Sequence, residues 1–196
     1  MLLRFIPVLG VLVAVALFGV ATSRYPGGYD WNRDLISTLL RDNPAHRIPS
    51  SARLPAIVGM LIFCASIGLV FERLARGTRR AHNAKAIRIG GIGSMVYASL
   101  AFTPMHDLMV NISLIFFVIA VLALLQVLYV KREIGFLVTG CACFATLLAS
   151  TAIYYAQFCL TALPWAQRAT FAMFVVWLLA LQFSESKGGA QRNDPA

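Results

Sequence analysis

The stretch LMVNISLIFFVIAVLALLQVLYV, Leu108 to Val130, carries no charged side chain. At ~1.5 Å per residue it makes a helix long enough for the ~30 Å hydrocarbon core of a bilayer. A barrel strand would alternate apolar with polar residues, and this run is continuous rather than alternating. It reads as a transmembrane helix, and the rest of the chain repeats the pattern.

Working outward, Phe5–Ser23, Leu54–Phe71 and Ile89–Met105 are also free of charge, and a longer charge-free run covers 134–167. Arg168 interrupts that last region, which then continues apolar to Phe183. One helix needs about 20 residues, so the region holds two, broken at Pro164, which lacks an amide donor. The expected fold is therefore all-α: a bundle of six transmembrane helices near 3–22, 53–72, 87–105, 107–130, 134–157 and 163–183, with a disordered tail over 184–196. Composition agrees. The chain of 196 residues is 59% hydrophobic and 13% charged, with a mean hydropathy of +0.75. Soluble domains run nearer ~25% charged. The first run resembles a signal peptide in its small-residue end, FGVATSRY, but exceeds a signal core in length and is read as a retained span.

Arginine and lysine set the orientation. Arg73, Arg76, Arg79, Arg80, Lys85 and Arg88 fall between spans two and three, and Arg4, Lys131, Arg132, Lys187 and Arg192 share that side. Arg24, Arg33, Arg41, Arg47, Arg53 and Arg168 take the other. The richer side is read as cytoplasmic, with both termini there. Most of the +9 net charge is then a basic 72–88 loop that attracts anionic lipid headgroups. Nucleic-acid binding is disfavoured, because the basic residues flank spans and form no soluble module.

The first external loop opens with turn chemistry, SRYPGGYD, followed by DWNRDLISTLLRDNP. In the latter, Trp31, Leu35, Ile36, Leu39 and Leu40 recur at helical spacing behind a capping Asp30. This predicts a short amphipathic helix lying over the bundle mouth. Pro44, Pro49 and Pro55 predict an extended return. Gly90, Ser94 and Ala98 give span three a small-residue stripe that admits a neighbour closely, and mark it as the central helix. Cys64, Cys141, Cys143 and Cys159 suggest small core residues rather than a disulfide or thioredoxin-like pair, the C-x-C pair pointing about 200° apart on a helix.

The candidate pocket residues are Asp34, Ser37, His106, Asp107, Asn111 and Arg168. All fall at the external ends of their segments, where polar groups face the bundle interior or a water-filled cavity. Asp107 stands at a helix start, as a dipole-stabilised residue or as a carboxylate paired with Arg168 or Arg33. Asn111, one turn deeper, suits a hydrogen bond between helices. His106 is an interfacial residue, a general base or a metal ligand; no H-x-x-x-H or H-E-x-x-H supports a metal, and no cofactor is expected. Ser37, Asp34 and His106 name the groups of a nucleophilic set, but no G-x-S-x-G accompanies them. Arg168 either snorkels or clamps Asp107, Asp34 or a lipid headgroup.

Three segments, YPGGYDWNRDLISTLL, GGIGSMVYASLAFTP with HDLMVNISLIFF, and QRATFAMFVVWLLAL, resemble a bacterial six-helix membrane family catalogued as domain of unknown function 998, distantly similar to the damage-regulated autophagy modulator group. The resemblance implies six spans in the inner membrane and little about activity. That family's pattern places a histidine a few positions into span four, where this chain has Asn111, with His106 earlier. The first functional expectation is a non-catalytic protein binding a lipid or small amphiphile in a shallow external pocket. The alternatives are a lipid-modifying enzyme using Asp34, His106 or Asp107 as acid/base, and a small transporter. Protein partners are not readable from the sequence.

Overall fold

A computed structural model describes residues 2–40 and 50–190. Among them the chain is all-helical: α1 (Ile6–Ser23), α2 (Ser50–Arg76), α3 (Ala81–Ser99), α4 (His106–Lys131), α5 (Ile134–Ala156) and α6 (Leu163–Ala190), with short 3-10 helices at Leu2–Phe5, Ile36–Leu39 and Leu160–Ala162. Five of the six, all but α3, are long and apolar enough to cross a membrane. The fold is thus that of a multi-pass membrane protein. α3 falls short because its first turns carry His82, Asn83, Lys85 and Arg88.

Successive helices run antiparallel, so the bundle has two ends. The loop end holds residues 24–40 and the α3–α4 and α5–α6 connections. The basic end holds the α2–α3 and α4–α5 connections.

Four expectations need correction. The 72–88 loop is mostly helix, with Gly77–Arg80 alone linking α2 to α3. Glu72 explains this: its two carboxylate oxygens meet Arg76 Nε and Arg88 Nε, each at 2.8 Å, tying the two helix extensions together. Charge here continues the helices rather than ending them. The expected helix over Asp30–Pro44 is, within the described residues, a turn followed by the 3-10 helix Ile36–Leu39. Asp30 does not cap a helix: its Oδ1 accepts the Asn32 amide at 2.8 Å, and Asp34 Oδ2 accepts the Asp30 amide at 2.9 Å. Leu35 then turns extended (φ −82°, ψ 152°), which separates the two pieces. Pro55 lies inside α2 rather than on an extended path. Finally, α6 continues to Ala190, past the expected end at 183. Asp42, Pro44, His46 and Pro49 lie outside the described residues.

Packing also reassigns the centre of the bundle. α2, not α3, is central: it touches α1, α3 and α6, while α3 lies between α2 and α4. Its Ile67, Val70, Phe71 and Leu74 are buried. The glycine stripe of α3 does permit the predicted close approach. A Cβ at Gly91 would lie 2.1 Å from Phe71 Cγ of α2, and one at Gly90 would lie 2.8 Å from the Phe116 carbonyl oxygen of α4. Between those helices, Ser113 Oγ donates to the Ser94 carbonyl at 2.9 Å. α5 is peripheral, buried at Gly140 and Cys143. Cys141 faces outward and Cys143 inward, and all four cysteines are free.

Candidate functional site

The loop end is organised by one aromatic and cationic cluster. Its construction starts at Tyr25-Pro26-Gly27-Gly28-Tyr29. Gly27 and Gly28 have φ of 78° and 88°, values that side chains with a Cβ adopt at a cost, and the Gly28 amide donates to the Tyr25 carbonyl at 3.1 Å. This tight turn follows directly on α1 and lays Tyr25 and Tyr29 edge-to-face, ring centroids 5.7 Å apart. Both pack on an apolar cluster formed by Ala21, Leu39, Leu40, Ala56 and Ala101. Residues 25–40 therefore seal the ends of α1, α2 and α3.

α6 holds this seal from the other side. Gln167 Oε1 accepts the Ile36 amide at 3.1 Å. Arg168 Nη2 donates to the Asp34 carbonyl at 2.6 Å and to the Tyr29 hydroxyl at 3.2 Å, and Nη1 donates to the Trp31 carbonyl. The Tyr29 hydroxyl in turn donates to the same Asp34 carbonyl at 3.1 Å. Three rings cover the guanidinium: Trp31 at 5.0 Å, Trp165 at 5.6 Å and Tyr29 at 5.8 Å from ring centroid to Cζ. Such contacts are worth ~0.5–2 kcal/mol each according to burial. Arg168 Nε is buried and has no hydrogen-bond partner among the described residues. Burial raises the Tyr29 phenol above its ordinary value, with Arg168 opposing the rise. The phenol must keep its proton to donate to Asp34.

Arg168 and Asp34 are thus brought together through the main-chain carbonyl of Asp34 rather than its carboxylate. That carboxylate is engaged by the Asp30 amide. Ser37 belongs to the same loop, where its carbonyl accepts the Leu40 amide at 3.1 Å. The remaining candidates are held elsewhere. His106 is buried, its Nδ1 against the Ala101 carbonyl, closing the α3–α4 turn. Asp107 is exposed in the first turn of α4, where the helix dipole favours a carboxylate. Asn111 Oδ1 accepts from the Tyr155 hydroxyl of α5, the interhelical bond its position suggested. Arg53 Nη2 donates to the Phe102 carbonyl at 3.0 Å and ties the α3–α4 turn to α2.

Tyr29, Trp31 and Trp165 were missed as site residues. Their signal was present in the aromatic density of YPGGYDW and in the PWAQR that opens α6, but aromatics beside spans read first as interfacial anchors. Among the described residues, no three His, Cys, Asp or Glu side chains gather to hold a metal. Comparisons with protein-family models, with curated proteins and with solved structures find no match to this chain.

Proposed function

We propose that the chain is a six-span inner-membrane protein with both termini cytoplasmic, whose sealed external end binds the headgroup of an anionic lipid or small amphiphile. The observation that carries the reading is Arg168. Its charge is met by carbonyl dipoles and ring faces, and no ion pair to Asp34 neutralises it among the described residues. A planar guanidinium in that state suits a phosphate or carboxylate oxygen. Trp31 and Trp165, 53% and 57% exposed beside it, suit the headgroup layer.

Counting α3 as the sixth span is supported by its neighbours. Arg88, the eighth residue of α3, pairs with Glu72 near the end of α2, and Ala101 just beyond the end of α3 packs with the loop-end cluster. The resemblance to the six-helix family is part of the proposal and rests on the three sequence segments. Binding is preferred to lipid modification because His106, Asn111 and the Asp34 carboxylate are each engaged by a different structural partner.

Titration with short-chain phosphatidylglycerol and phosphatidylcholine tests the reading, with Trp31 and Trp165 fluorescence followed in a Trp177→Phe background. The wild type should saturate with phosphatidylglycerol at least tenfold below phosphatidylcholine, and Arg168→Gln should erase that preference. Equal titrations in the wild type would overturn the proposal.

A further inference from the structure

At the opposite end, α5 and α6 part to form a groove of about 480 Å³ lined by Phe136, Thr139, Cys143, Met173, Val176 and Trp177 together with three alanines. That volume lies within the ~300–1,000 Å³ of small-molecule sites. Its polar atoms are turned away from the space. Thr139 Oγ1 donates to its own helix at the Gly135 and Phe136 carbonyls, at 3.0 and 3.1 Å, and Trp177 Nε1 donates to the Phe136 carbonyl at 2.9 Å. What remains is an apolar slot, open along a helix that is otherwise exposed.

We propose that this groove holds one acyl chain of an anionic phospholipid from the leaflet at the basic end. The site is separate from the Arg168 cluster and does not depend on it. Length supports the assignment: from Ala172 to Ala180 the α6 wall rises ~12 Å, against ~15 Å for one leaflet of hydrocarbon. Charge sets the direction. Arg132 lies in the turn between α4 and α5, four residues before Phe136, which lines the groove near the start of α5. It is exposed in the α4–α5 turn beside Lys131, and Glu133 offsets one of the two charges. A phosphate at that turn places its chain in the slot, and the slot offers a headgroup no polar partner of its own. One net basic residue near the surface favours an anionic over a zwitterionic headgroup about fivefold.

Trp177 reports on the groove directly. In a Trp31→Phe/Trp165→Phe protein in nanodiscs, lipids brominated along the chain should quench Trp177 saturably. Brominated phosphatidylglycerol should reach half-quenching at about one-fifth the mole fraction of brominated phosphatidylcholine. Arg132→Gln, an exposed change that leaves the packing alone, should bring the two curves together. Ala172→Phe, which fills the slot, should leave a weak quenching linear in lipid fraction. Equal, linear quenching by both lipids in the parent protein would overturn the proposal. So would absence of quenching together with a crosslinked dimer through α5, which would make the occupant a second copy of the chain.

Discussion

Replacing Arg168 with alanine removes the fork that holds residues 29–34 against α6. Three hydrogen bonds are lost, to the Trp31 and Asp34 carbonyls and the Tyr29 hydroxyl. A bond to a charged group is worth ~1.5–3 kcal/mol net when sheltered, and partial exposure lowers this to about 1 kcal/mol. Together they contribute ~3 kcal/mol to local closure, before any ring contacts. The loop should therefore open about a hundredfold more often without global unfolding, since the core around Phe71, Val121 and Leu178 is remote from it. Leu39 is 1% exposed beneath the loop and serves as the reporter. A Leu39→Cys protein, with exposed Cys141 and Cys159 changed to serine, should react with maleimide about a hundredfold faster in the Arg168→Ala background. Arg168→Lys, which keeps the charge but not the fork, should fall between. Equal labelling rates in wild type and Arg168→Ala would show that the loop is held by its apolar underside alone.

Other perturbations separate the remaining interactions. Gly90→Ala and Gly91→Ala should each destabilise the protein by ~1–3 kcal/mol in detergent unfolding, because the added methyl meets the Phe116 carbonyl or the Phe71 ring. At Gly68 the nearest side-chain atom is Met95 Cβ, 3.9 Å away, so Gly68→Ala should be neutral or gain the helix propensity of alanine. Ser113→Ala should cost ~0.6 kcal/mol, the average for an interhelical hydrogen bond in a membrane, and no more than ~1.7 kcal/mol. The Tyr29 phenol is raised by burial, so its contribution is complete below the ordinary tyrosine range near pH 10 and is lost as pH climbs through the higher folded-state value. Near-ultraviolet dichroism should show that alkaline step, and Tyr29→Phe should abolish it.

The membrane class and five long apolar helices were legible because a bilayer tolerates few sequences: an apolar run near 20 residues has one economical use. The helix stripe of Gly90, Gly91 and Ser94 was legible for a similar reason, since small residues on one face admit a neighbour. Local chemistry was less legible where two structures satisfy the same residues. Trp31, Leu35, Ile36 and Leu39 match a helical period, yet Asp30 and Asp34 satisfy amides within the turn, which leaves no capped helix to nucleate. Glu72 and its arginines read as loop charge until Arg88 is seen across the α2–α3 junction. Arg168 reads from the sequence as either a snorkelling residue or a clamp for a carboxylate or headgroup, whereas the fold offers it carbonyl oxygens and aromatic faces. His106, Asn111 and Arg168 share a depth in the sequence and are assigned to different structural jobs by the packing.

Coupling energies examine that division most directly. Tyr29 and Arg168 form one hydrogen-bonded unit. A double-mutant cycle of Tyr29→Phe with Arg168→Gln, read by maleimide labelling in the Leu39→Cys background, should show non-additivity of at least ~0.5 kcal/mol. The matching cycle of Asn111→Ala with Arg168→Gln should be additive within ~0.3–0.5 kcal/mol, because Asn111 belongs to the α4–α5 contact. Additivity in the first cycle, or strong coupling in the second, would contradict a clamp centred on Arg168 and restore a single pocket shared by all the polar residues of the loop end.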